Sequence, residues 1–164
     1  MFIRKTQLKD LPLIEGVYAR AREFMKLSGN PGQWGDKYPQ REKLLHDIEL
    51  GQAYICFEDD DILAVFTFCP GPDATYVRIE GGSWLNDKPY HVIHRLASSG
   101  LRRGAGAFCI DWCFRQSDNI RIDTHADNKP MLNLIAKKGF VYCGIIHTDD
   151  GTPRKAFQKD IEEQ

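Results

Sequence analysis

The residues of this chain best suited to chemistry are Arg102-Arg103-Gly104-Ala105-Gly106-Ala107, read with their flanks. An extended run, Tyr90 to Ala97, comes before, and a helical run, Ala107 to Gln116, comes after. A strand that turns through Gly-x-Gly into a helix N-terminus can hold phosphate. The glycines let successive backbone N–H groups face one point and let an anion come close. The first helical turn adds unpaired N–H groups and a partial positive charge. Arg102 and Arg103 add full charge at the rim. The same residues would also serve as a bare strand-to-helix turn. The next elements of the chain narrow the choice: a strand, Asn119 to Thr124, then His125-Ala126-Asp127-Asn128, then a helix from about Lys129 to Lys138 closed by Gly139-Phe140.

Two familiar nucleotide sites fit poorly. A dinucleotide fingerprint needs Gly-x-Gly-x-x-Gly and an acid about 20 residues on. Asp123 stands at roughly that distance, but Cys109 occupies the third glycine position. The preceding strand carries His91, His94 and Arg95, whereas buried parallel strands read as apolar throughout. A nicotinamide oxidoreductase is the weaker alternative on these grounds. An ATP-type P-loop fails because no Gly-Lys-Ser/Thr comes after the glycines. Metal chemistry has little support. Cys109 and Cys113 share a helix face and read as core, Glu58-Asp59-Asp60-Asp61 reads as a solvated turn, and His91 and His94 point to opposite faces of a regular strand. No metal site is expected.

These groups need a scaffold, and 164 residues are enough for one domain with a real core, spanning 1–164. Phe2 to Lys5 reads as a first strand. Leu11, Ile14, Val17, Tyr18, Ala21 and Met25 recur at helical spacing behind Asp10 and Pro12. A loop with Trp34 and Tyr38 leads to a second helix over about Gln40 to Leu50. Ala53 to Phe57 and Ile62 to Cys69 then form a hairpin. A long irregular segment, Pro70 to Lys88, leads into the strand before the Gly-x-Gly turn, and loops of that length usually act. Two strands, Val141 to Ile146 and Lys155 to Lys159, close the chain. The order is β-α-α-β-β-β-α-β-α-β-β, an α+β chain with a mixed α/β sheet flanked by helices.

Composition narrows the partners. Net charge is −1, which gives no basic field for nucleic acid. No apolar run nears the ~20 residues of a membrane span. An odd count of five cysteines, with no apolar signal-peptide core after Met1, points to reduced thiols and a cytoplasmic protein.

From Tyr90 to Phe140 the chain resembles the GNAT superfamily of acyl-CoA-dependent N-acyltransferases, and the strand order agrees throughout. The family signature, Gln/Arg-x-x-Gly-x-Gly/Ala after the fourth strand, falls on Leu101 to Gly106, with Leu101 replacing the first residue. The Asn after the fifth strand is Asn128, and the next helix ends in Gly139-Phe140. Ile135 stands where many members carry a Tyr that protonates the leaving thiolate.

The resemblance implies an N-acetyltransferase that uses acetyl-CoA as co-substrate and attacks the thioester directly. It places CoA on Leu96, Ala97, Arg102, Arg103, Gly104, Ala105, Gly106, Ala107, Asn128 and Met131. A side chain at Gly106 should block the pyrophosphate. His94 is the expected general base, with Glu80 and His125 as alternates, the latter oriented by Asp123. Trp34, Tyr38, Trp84 and Tyr90 are expected to line the acceptor pocket, holding an amine by cation–π contact. The acceptor is a small-molecule amine or a peptide. Oligomeric state is open, with a homodimer among the options. Ile135 keeps a second alternative alive, a CoA-binding sensor without turnover.

Overall fold

The structure is a computed structural model and describes residues 1–163. Seven strands form one sheet in the order β1-β2-β3-β4-β5-β7-β6. They are β1 (Phe2–Lys5), β2 (Ala53–Glu58), β3 (Asp61–Pro70), β4 (His91–Ser98), β5 (Asn119–Thr124), β6 (Val141–His147) and β7 (Pro153–Asp160). Four helices cover it: α1 (Leu11–Leu27), α2 (Arg41–Glu49), α3 (Ala105–Phe114) and α4 (Lys129–Lys137). The expected element order holds. Of the six strand pairings only β4 with β5 is parallel, so the sheet is mixed and is not doubly wound.

Each face of the sheet buries a distinct set of side chains. Ile93 and Leu96 of β4 and Ile120 and Ile122 of β5 pack with Ala105, Cys109, Ile110 and Cys113 of α3 and Ile135 of α4. On the other face α1 lays Leu11, Ile14, Val17 and Tyr18 against Ile55 and Val65. Burying an aliphatic side chain of this kind stabilises by about 1.5–3 kcal/mol, so these two layers set the sheet's position. Helix α4 ends through Gly139, at φ 80°. Gly139 N–H bonds Ala136 O at 3.0 Å and Phe140 N–H bonds Ile135 O at 3.2 Å, which satisfies the last carbonyls and turns Phe140 into the core. The Gly-Phe pair is therefore a helix stop with an apolar anchor.

The long segment between β3 and β4 is ordered by polar contacts. Ala74–Tyr76 forms a 3-10 turn, and Glu80 bridges to Ile145 of β6. Further on, Asn86 accepts from Asn119 (3.1 Å) and Gln158 (3.2 Å) through its side-chain oxygen, and its carbonyl accepts from Arg121 (2.9 Å).

Candidate active site

Two irregularities in β4 open the centre of the sheet. First, β4 pairs with β5 only at His91–Ile120 and Val92–Arg121. Beyond that point the two strands splay apart, and among the described residues the β4 backbone from Ile93 onward has no strand partner on that edge. Second, β4 bulges against β3: His94 faces Thr67 and Ala97 faces Val65, so Arg95 and Leu96 together oppose Phe66 alone. Arg95 takes φ 53°, a conformation unfavourable for a residue with a side chain. Its carbonyl accepts from Tyr18 Oη at 2.8 Å, and its buried guanidinium pairs with Asp47 at 2.6 Å and Tyr38 Oη at 3.2 Å. Burial would lower the Arg95 pKa, but Tyr38 and Asp47 outweigh it and hold the charge on. The bulge is fixed by those contacts from both sides.

A cavity of about 740 Å³ occupies the splay. Ile93, His94, Arg95 and Leu96 line one side, Ile122, Asp123 and Thr124 the other, and Gln33, Trp34 and Tyr38 close it from the α1–α2 loop. His94 is paired with a carboxylate there. His94 Nε2 lies 2.7 Å from Asp73 Oδ2, and the Asp73 carboxylate also accepts from Thr75 N–H and Oγ1 at 2.9 and 2.6 Å. Burial alone would raise the Asp73 pKa. The hydrogen bonds from His94 and Thr75 outweigh it and hold the carboxyl well below the usual carboxylate range. Next to this pair Tyr76 Oη donates to Asp123 Oδ1 at 2.5 Å, and burial and Asp123 push the phenol far above its ordinary pKa. Tyr76 is therefore a neutral donor.

On the α3 side the strand leads into Ser99–Gly104 and the helix N-terminus. Gly104 is the cap residue at φ 85°, which only glycine adopts without strain, and no side chain caps α3. The first N–H groups of α3 are left open to an anion. Helix α4 differs, because Asn128 Oδ1 accepts from Met131 N–H at 3.2 Å and closes its start. Arg103 is exposed beside the open terminus, while Arg102 pairs with Glu58.

No protein-family model matches the chain, and no curated protein sequence does. Solved structures do match. A GNAT family acetyltransferase from Streptococcus agalactiae is 30% identical, with a TM-score of 0.87 over 97% of this chain and 94% of that one. The chain belongs to the GNAT family of acetyltransferases. A candidate acetyltransferase of Staphylococcus aureus is 26% identical, at a TM-score of 0.73 over 98% and 99% of the two chains. The fold also matches yncA of Salmonella typhimurium, a candidate acetyltransferase solved with its cofactor acetyl-CoA (14% identity, TM-score 0.61, 99% and 95% covered).

The other expected site residues of this GNAT acetyltransferase fall in three groups. Leu96, Asn128, Met131, Trp34 and Tyr38 line the cavity with His94. Gly104, Ala105, Gly106 and Ala107 form the start of α3 and its turn, and Ala97 is buried against α1. Three expectations need revision. Trp84 and Tyr90 do not line the cavity; the Arg121 guanidinium lies over both rings, at 4.2 and 3.9 Å from their centroids, which helps hold the long loop. Glu80 pairs with Arg78 at 2.8 Å outside the cavity. His125 Nδ1 accepts from Asp127 N–H at 3.0 Å in the turn before α4, and Asp123 is taken by Tyr76 instead.

Gly106 also meets a second helix. A Cβ there would sit 3.1 Å from Leu134 Cδ2, so Gly106 lets α3 approach α4. Ile135 is fully buried in the core and presents nothing to the cavity. Sequence reasoning missed Asp73, Asp47, Gln33 and Arg154. Pro72-Asp73-Ala74-Thr75 is a turn signal in which Asp bonds the backbone two residues on. It gives no hint of His94, which is 21 residues away.

Proposed function

We propose that this acetyltransferase moves an acetyl group from acetyl-CoA to the amine of a small molecule or peptide by direct attack. The observation that carries the reading is the His94–Asp73 pair, facing the cavity at the point where β4 and β5 part. The ionised Asp73 accepts from Nε2–H, which leaves Nδ1 of the neutral imidazole as the base. A protonated amine gives one proton to Nδ1 and attacks the thioester carbon. The C–N bond forms, the oxyanion is held by backbone N–H at the Arg95–Leu96 bulge, and the C–S bond breaks. The proton left on the nitrogen of the intermediate passes through water to the departing thiolate, since Ile135 offers no acid.

The residues present suit CoA. The pantetheine arm would lie along the unpaired β4 edge as an added strand. Its pyrophosphate would meet the open start of α3, with Arg103 beside it. That yncA, a protein of the same fold, was solved with acetyl-CoA supports acetyl-CoA as the co-substrate. Free thiols at all five cysteines support a reducing, cytoplasmic setting. A panel of amines incubated with acetyl-CoA tests the reading. Thiol release matched by N-acetylated product is expected, and bound acetyl-CoA that no amine can discharge would instead support a sensor.

A further inference from the structure

Arg154 on β7 is buried, with 7% of the residue exposed, and it lines the cavity. Burial lowers its pKa, with Asp123 and Asp150 opposing. Among the described residues no carboxylate lies within 4 Å of its guanidinium. Its hydrogen bonds run to two backbone carbonyls, Pro153 O at 3.1 Å and Gln33 O at 3.0 Å. The other buried guanidinium of this cavity, Arg95, has Asp47 at 2.6 Å. A buried guanidinium without a close counter-ion is costly unless an anion completes it. The nearby acids are engaged elsewhere: Asp123 accepts from Tyr76, and Asp150 Oδ1 accepts from Thr148 and Thr152.

The sheet decides which anion reaches Arg154. Asp123 pairs with Ala156, and Arg154 is two residues from Ala156, so Arg154 and Asp123 point to one face. That face also carries Tyr76 with His94. The open start of α3 packs with the opposite face. A CoA pyrophosphate at α3 is thus on the far side of the sheet from Arg154. The anion must arrive with the acceptor.

Resting on the acetyltransferase reading, we propose that the acceptor is an amine that carries a carboxylate, seated on Arg154 with its amine turned toward Asp123 and the His94–Asp73 pair. A free amino acid has this chemistry, and so does a peptide whose N-terminal residue carries an acidic side chain.

Matched pairs test it: amino acids against the same amines lacking the carboxylate, and Asp- or Glu-initiated peptides against their Asn or Gln counterparts. Each is measured as kcat/KM for thiol release and as binding in the presence of CoA. A charge-assisted bond of this kind should favour the carboxylated partner by about 10–100-fold, mostly in KM. The free or the peptide series will show which source applies. Arg154→Gln should bring the ratio close to one, and Arg154→Lys should restore part of it. Equal kcat/KM within every pair of the wild-type enzyme would overturn the proposal, as would a preference that survives in Arg154→Gln. If no amine turns over, calorimetric binding of the same pairs to the CoA complex decides, and equal affinities reject the carboxylate seat. Failure of acetyl-CoA itself to bind would reject the acetyltransferase reading instead.

Discussion

His91 and His94 lie three residues apart on one strand and have unrelated surroundings. The His91 ring stacks on Phe68 with centroids 4.9 Å apart, and burial lowers its pKa. His94 faces the other side of the sheet and meets Asp73. The alternation of a strand was readable from sequence, and it set the two histidines apart correctly. The partner was not readable, because a contact between Asp73 and His94 depends on how a long loop docks. Asp73→Asn should therefore act on two observables. Turnover should fall about 10-fold or more as the amide favours the wrong tautomer, with the pH–rate profile moved. Stability should also lose its acid-sensitive part. The folded pKa of Asp73 is depressed, so its contribution is present above the unfolded value of ~3.9 and disappears as pH falls through the folded one. Wild type and variant should differ in unfolding free energy at pH 7 and converge in strong acid. A constant difference across pH would mean that the carboxylate contributes only packing.

At the scale of elements, helix starts and stops were legible because they depend on local chemistry. Pro12, Gly104, Asn128 and Gly139 all stand at helix ends as their residue types require. The bulge at Arg95–Leu96 was not legible. It arises from the register between β3 and β4 and from Tyr18 and Asp47, which lie far off in sequence. The close approach of Leu134 to Gly106 was not legible for the same reason, since Leu134 belongs to another helix. Two substitutions separate the anion site from this packing. Arg103→Ala removes an exposed charge and should weaken acetyl-CoA binding about 2–5-fold, less at high salt, with thermal stability unchanged. Gly106→Val wedges α3 from α4 and should cost about 1–3 kcal/mol of stability. Unaltered stability of Gly106→Val in chemical denaturation would return that residue to the phosphate site alone.

For the whole molecule, the order of strands and helices was legible down to every element, and it carried the family resemblance. It could not exclude the dinucleotide reading alone. The sheet does so: its single parallel pair cannot make a dinucleotide crevice, and Asp123 bonds Tyr76 on the face away from the α3 start. A ligand that joins β4, α3 and the α1–α2 loop should stabilise the fold as a unit. Acetyl-CoA at 100 times its dissociation constant should add ~2.7 kcal/mol, which is roughly 5–10 °C in the melting temperature at this size. Scanning calorimetry with NADH as the control would show it, and an equal shift with NADH would point to nonspecific binding.

The most direct test of His94 acting as the base is the pH dependence of kcat/KM for thiol release with a turned-over amine. Wild type should show the acidic limb that a general base imposes. His94→Ala should run about 10²–10⁴-fold slower and lack that limb. A variant that keeps both the rate and the limb would contradict the assignment of the site to the His94–Asp73 pair.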